Sequence, residues 1–257
     1  MKLTKISKKN NTLAFAIEGA STAFVNTLRR TIVNEVPTMA IEEVEFRKNT
    51  STLYDEMIAL RLGLLVLTTD LKSYEFPSEN VPKDSAKASL KLTLNAKGPK
   101  TVYASDIKSA DPSVKPVHGK TPIVKLLEGQ ELEFEATAVL GRGKTHAKWS
   151  PGHAYYRNDA TITINNSSQF LDEYKTLYPA EIFKDGKIEK SLIEKNNLVD
   201  AVDGVNEDII KVEYNPDKFI FVVEAWGQLS PEEMVEQAMD HLASTADDFV
   251  AALKELK

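Results

Sequence analysis

The sequence predicts an α+β fold, and three patterns predict it. Leu132, Phe134, Ala136, Ala138 and Leu140 alternate with Glu131, Glu133, Glu135 and Thr137, the period of two that marks a strand with one buried face. Phe24, Leu28, Ile32 and Val36 recur every four residues, as on one face of a helix. A third run, from Ser230 to Leu256, keeps helical spacing throughout and has the best-marked start in the chain.

Taken in order, Leu13, Phe15 and Ile17 alternate up to Gly19 and predict a half-buried strand and a turn. Ser21 predicts the cap of the helix that follows, and Pro37 its stop. Val44 and Phe46 predict a short strand with Glu43 and Glu45 on its other side. Thr52, with Asp55 three residues on, predicts the cap of a second helix carrying Met57, Ile58, Leu62 and Leu65. From Asp70 to Lys87 the chain is polar and broken by Pro77 and Pro82, so a loop is expected. Leu90, Leu92 and Leu94 predict a strand, and the proline-rich stretch from Lys97 to Pro122 an irregular excursion. Ile162 and Ile164 predict a further strand, followed from Asn165 to Asn206 by short, charged, helix-like pieces that read as a small insertion. Ile210, Val212 and Tyr214, then an Asn215-Pro216-Asp217 turn, then Phe219, Phe221 and Val223, predict an antiparallel hairpin.

The terminal helix is specified most fully. Ser230 supplies the N-cap, Pro231 the first helical position and Glu233 the capping-box carboxylate. Val235, Ala238, Leu242, Thr245, Phe249, Ala252 and Leu256 then follow at alternating spacings of three and four. That is a narrow two-per-heptad seam on a helix roughly 40 Å long. It suits either the protein's own sheet or a partner helix.

Composition narrows the chemistry. The 257 residues are 42 % hydrophobic and 27 % charged, with a formal net charge of -6, so there is no global attraction to phosphate backbones. No apolar stretch approaches the ~20 residues of a membrane span, and the N-terminus has no apolar signal region, so a soluble cytoplasmic protein is expected. The absence of cysteine removes disulfides, thiolate zinc sites, cysteine nucleophiles and thiolate-held clusters. His146 and His153, seven apart around Pro151, lack metal-ligand spacing, so neither zinc nor iron nor any other cofactor is expected.

Two motifs invite a sharper reading. Ala138 to Thr145, AVLGRGKT, resembles a loosened phosphate-binding loop with Lys144 as its lysine. Ala138 and Leu140 still belong to the strand, however, and Pro151 and Gly152 leave no room for the helix such a loop requires. A basic turn is expected instead. Arg142, Lys144, His146, Lys148 and Trp149 form a dense basic and aromatic cluster, which on an acidic chain favours a protein partner over nucleic acid. Asn26, Arg29 and Arg30 lie on the first helix away from Leu28, either as a solvated face or as a place to recruit carboxylates.

Two long segments carry a family resemblance. VNTLRRTIVNEVPTMAIEEVEFRKNTSTLYDEMIALRLGLL, from Val25 to Leu65, and LGRGKTHAKWSP, from Leu140 to Pro151, resemble the alpha-like scaffold subunits of cellular RNA polymerases, the archaeal D-type subunits and the eukaryotic third-largest subunit. The resemblance implies a discontinuous alpha-like dimerisation domain in two parts, 1–46 and 207–257. It also implies an inserted mostly-β domain at 47–164 and a small ferredoxin-like insertion without cysteines at 165–206. It implies a non-catalytic scaffold and assembly subunit of a DNA-directed RNA polymerase, a nucleotidyltransferase complex whose magnesium sits on the two largest subunits. The expected partners are a smaller L-type subunit as heterodimer, two small zinc-binding subunits and the second-largest subunit, with DNA or RNA met only through the whole complex. The residues expected to meet partners are Phe24, Asn26, Leu28, Arg29, Arg30 and Ile32 on the first helix, Arg142, Lys144, His146, Lys148 and Trp149 in the basic loop, and Val235, Leu242, Phe249 and Leu256 on the last helix. Many archaeal relatives carry cysteine-held iron-sulfur clusters in the insertion, and here Tyr178 and Pro179 stand where a Cys-Pro pair is expected. The zinc loop of eukaryotic relatives is likewise replaced by the stretch from Asp70 to Lys87.

Overall fold

The protein's structure, a computed structural model, describes residues 1–78 and 80–256. The elements run β1 (Lys2–Lys9), β2 (Thr12–Glu18), α1 (Thr22–Asn34), β3 (Pro37–Asn49), α2 (Asp55–Gly63), β4 (Ser89–Lys97), β5 (Lys100–Tyr103), β6 (Lys108–Ser109), β7 (Pro122–Leu126), β8 (Glu131–Arg142) and β9 (Gly152–Ile164). They continue as α3 (Leu171–Tyr174), β10 (Phe183–Lys184), β11 (Lys187–Ile188), α4 (Lys190–Lys195), α5 (Val199–Val202), β12 (Ile210–Ala225) and α6 (Pro231–Glu255). The sheets are ordered β1-β2-β12-β9, β3-β8-β4-β6, β5-β7 and β10-β11. Helices are interspersed among sheets whose strands pair antiparallel at β3-β8, β4-β8, β4-β6, β5-β7 and β10-β11, so the fold is α+β.

The chain divides into two compact units. The first comprises Met1–Lys5, Phe15–Val25 and Tyr156–Phe221. Within it Phe15 stacks on Phe221 at 5.3 Å between ring centres, and Tyr156 meets Phe219 edge-on at 5.8 Å. The short pieces after Asn165 close over a core of their own, built from Ile162, Ile182, Ile188, Ile193, Val202 and Ile209. The backbone N–H of Phe24 donates to the Ser21 hydroxyl at 3.2 Å, the cap expected for α1.

The second unit comprises Ile6–Ala14, Asn26–Tyr155 and the chain from Val222 onward. Its centre is the antiparallel β3-β8-β4 sheet, in which Phe134 lies opposite Phe46 on one side and Leu94 on the other. Leu132, Phe134, Ala136, Ala138 and Leu140 all point inward, against Leu90, Leu92 and Leu94 and against Ile58 and Leu62 of α2. On the outer side Glu131, Glu133 and Glu135 pair with Lys48, Lys97, Arg47 and Lys91. Exposed pairs of this kind contribute about 0 to 1 kcal/mol each, so the buried face supplies the stability.

Several expectations need correction. The strand around Val44 and Phe46 is thirteen residues long and begins at Pro37 itself, which a first strand position tolerates because proline has no N–H to pair. Thr52 does not cap α2. The cap residue is Tyr54, without a side-chain bond, while Asn49 holds the turn by donating to the Leu53 carbonyl at 2.9 Å and to the Asp55 carboxylate at 2.7 Å. The stretch from Lys97 to Pro122 is not wholly irregular, since it holds β5 and β6. The Asn-Pro-Asp hairpin is absent and β12 runs straight through sixteen residues. There the Asn215 carbonyl accepts from the Asn158 side chain at 2.8 Å and the Asp217 carbonyl accepts from the Gly19 backbone at 2.9 Å. Neighbouring partners thus override the local turn signal. The loop from Asp70 to Lys87 is present as expected, and Glu79 within it lies outside the described residues. β1, exposed along its whole length and rich in lysine, had no apolar pattern to announce it.

Candidate protein interface

The last helix starts as its sequence requires. The Glu233 backbone N–H donates to the Ser230 hydroxyl at 3.3 Å, and the Ser230 backbone N–H donates to the Glu233 carboxylate at 2.8 Å. That backbone N–H and the Ser230 hydroxyl, which donates to the same carboxylate at 2.7 Å, hold the Glu233 carboxyl below its ordinary range. Pro231, Met234 and Ala238 are buried, and Val235, His241 and Leu242 are half-buried. From Ala243 to Leu256 every residue is exposed, including Phe249 at 66 % and Leu256 at 82 %. Val250 and Leu253 are exposed beside them. The seam is therefore divided: its first part packs on this chain, and Phe249, Leu253 and Leu256 form an uncovered apolar stripe at spacings of four and three.

On α1 the stripe is Val25, Leu28 and Ile32, all buried, while Phe24 is half-buried. The Asn26 carboxamide accepts from the Arg29 guanidinium at 3.0 and 3.1 Å, which fixes Arg29 along the helix surface. Arg30, next to it, is exposed.

The basic loop resolves into two groups. Trp149 is 6 % exposed, and its indole N–H donates to the Val139 carbonyl at 3.2 Å. The Lys148 ammonium lies 4.4 Å from the centre of that indole, donates to the Ile41 carbonyl at 3.0 Å and pairs with Glu42. These two side chains pin the loop to β3 and β8 and present little surface. The His146 imidazole accepts from the Lys148 backbone at 3.1 Å, capping the 3-10 turn Ala147–Trp149. Arg142 and Lys144 reach the other way, each 3.7 Å from the Glu35 carboxylate. His241 of α6 reaches the same carboxylate at 3.7 Å. The structure thus brings Arg142 and Lys144 to the end of α1 and to α6, an arrangement centred on Glu35, which sequence reasoning passed over as one acidic residue among many.

The same geometry explains why the loop carries glycines. A Cβ at Gly141 would sit 2.2 Å from the Trp149 ring, and one at Gly143 would sit 2.1 Å from the Val33 carbonyl. Close packing needs them, whereas a phosphate cradle would leave their amides open. The Lys144 backbone N–H is already committed to the Asn34 carbonyl at 2.9 Å, and no helix starts at Lys144.

A thiolate-held cluster does not fit the insertion, because the chain has no cysteine and the interior there is lined by aliphatic side chains. Tyr178, at the position expected for a cluster ligand, is buried and donates to the Asn206 carbonyl at 3.4 Å. Burial pushes its phenol up. Among the described residues no group of three or more His, Asp or Glu is placed to hold a metal ion, and no helix is long and apolar enough to cross a membrane.

Residues 44–161 match the RNA polymerase Rpb3/RpoA insert domain family. Over nearly its whole length the chain is similar to DNA-directed RNA polymerase subunit Rpo3 of several archaea. It is 40 % identical to that of Pyrococcus furiosus, over 98 % of this chain and 96 % of the relative. It is 39 % identical to that of Thermococcus kodakarensis, over 98 % and 97 %. The identity to the Methanosarcina acetivorans protein is 33 %, over 100 % and 99 %. Identity of this order along the full length, together with the insert-domain match, places the chain in the family of archaeal DNA-directed RNA polymerase subunit Rpo3.

Proposed function

We propose that this chain is the non-catalytic scaffold of its polymerase and works by pairing with a smaller, L-type homologous subunit. The observation that carries this reading is the stretch from Ala243 to Leu256, a helical segment whose apolar stripe nothing among the described residues covers. Single exposed apolar residues are ordinary, but a stripe of Phe249, Leu253 and Leu256 on a well-capped helix is the surface a second helix covers. In this reading the segments 1–46 and 207–257 form one discontinuous dimerisation domain, and β2 beside β12 in one sheet supports it. Residues 47–164 are the insert domain and 165–206 a ferredoxin-like insertion held by packing alone.

The pair then recruits two small zinc-binding subunits and the second-largest subunit, for which Arg30 and Lys144 offer exposed cations. Nucleic acid and the catalytic magnesium belong to the other subunits, in the cytoplasm. The test is to purify the chain with and without an L-type subunit and assay each for ATP and DNA binding. The proposal expects a stable pair and no binding of either ligand by the chain alone. Tight ATP or DNA binding by the isolated chain, with no pairing, would replace it.

A further inference from the structure

We infer that Glu35 is a positioning residue that fixes, through His241, the direction in which the exposed half of α6 leaves the protein. This rests on the pairing proposed above and goes beyond it, because Glu35 itself is not part of the apolar stripe.

Glu35 follows the last turn of α1, and its backbone N–H donates to the Thr31 carbonyl at 2.9 Å. Its carboxylate is largely enclosed, with a side chain 19 % exposed, and two cations and the His241 imidazole converge on it from separate parts of the chain. Arg142 at the end of β8 and His241 on α6 approach one oxygen, and Lys144 from the loop approaches the other. Among the described residues, no ion pair or side-chain hydrogen bond joins the part of α6 after His241 to another element. The Thr245 hydroxyl turns back to the His241 carbonyl of its own helix at 2.8 Å.

His241, beside the half-buried Leu242, is therefore the last polar tether before a cantilever. The fourteen or so residues beyond it extend about 20 Å, so a tilt of about 10° at the tether moves the tip about 4 Å. Interfaces pack at the density of protein interiors, which leaves no room for an error of that size. Glu35 gains this control because Arg142 and Lys144 also reach its carboxylate, from β8 and the loop after it rather than from α6. The 3.7 Å contact of His241 is then made with a carboxylate that has partners on other elements as well.

The chain has no cysteine, so nitroxides placed at Thr52→Cys and Ala252→Cys, both exposed, report one distance by pulsed electron resonance. Glu35→Gln is expected to broaden that distance distribution and to weaken pairing with the small subunit about fivefold, with little change in the thermal melt. His241→Leu should do the same, the double variant should be no worse than either alone, and His241→Lys should restore the narrow distribution. Should Glu35→Gln lower the melt sharply, His241→Leu, at a half-exposed helical position, still decides the matter. An unchanged distribution in both single variants overturns the inference, and so does weakened pairing without any change in distance. If the parent itself does not pair, the proposed function fails, while the label distances still judge the tether.

Discussion

Phe249→Ala separates an interface side chain from a core one. In the protein on its own the ring is 66 % exposed, so truncation removes little packing. Alanine is also the better helix former by about 0.5 kcal/mol, so the melt of the isolated chain should stay level or rise slightly. In the proposed pair the exposed part would be covered. With a phenylalanine burying about 200 Å2, that is about 130 Å2 of apolar surface. At about 25 cal/mol per Å2 the loss is about 3 kcal/mol, on the order of a hundredfold in affinity. The assay is a titration of labelled chain with the L-type subunit, run beside a thermal melt of the chain alone. A fall of several degrees in the melt with affinity intact would show that the helix end packs on its own protein, and the reasoning from exposure would be refuted.

Three further outcomes follow from the geometry. Gly141→Ala puts a methyl group 2.2 Å from the Trp149 ring. It should cost about 3 kcal/mol, read as a clear drop in the denaturant midpoint, and a neutral result would mean that the indole can move aside. Lys144→Ala should leave ATP binding as negligible as in the parent by calorimetry, because the Lys144 amide already serves the Asn34 carbonyl; measurable binding in the parent, lost in the variant, would revive the phosphate-loop reading. Glu233 carries a carboxyl lowered by the Ser230 donors, so its share of stability is present above the unfolded value near 4.5 and is lost as pH falls through the folded value. Glu233→Gln should thus cost about 1 kcal/mol near pH 7, a difference that closes as pH falls through the lowered folded value, whereas a gap constant with pH would show that charge has no part in the cap.

Elements with a strong local signal were legible in the sequence. Ser230, Pro231 and Glu233 fix the start of α6 by bonds three residues apart, and the alternation from Leu132 to Leu140 needs only one buried face. Elements whose form depends on distant partners were not. Asn215-Pro216-Asp217 has the composition of a turn, yet Asn158 and Gly19 supply partners that keep β12 extended. The basic loop was visible as a cluster of charge, but nothing in its spacing tells that Lys148 and Trp149 turn inward while Arg142 and Lys144 face Glu35. Glu35 itself carried no sequence signal, because its three side-chain partners reach it from positions 107, 109 and 206 residues away. The stripe on α6 was readable as periodicity, and only the structure divides it at Leu242 into a covered and an uncovered part.

The most direct measurement replaces Phe249 with a photoreactive benzoylphenylalanine and irradiates the chain mixed with the L-type subunit. The side chain is exposed at this position, so the substitution should not disturb the helix. If the uncovered stripe of α6 meets the smaller subunit, light yields a covalent product of the two chains in equal proportion, and unlabelled parent chain in excess suppresses it. Irradiation that yields only links within the chain, while the two subunits still migrate together, would contradict the account and put the interface elsewhere.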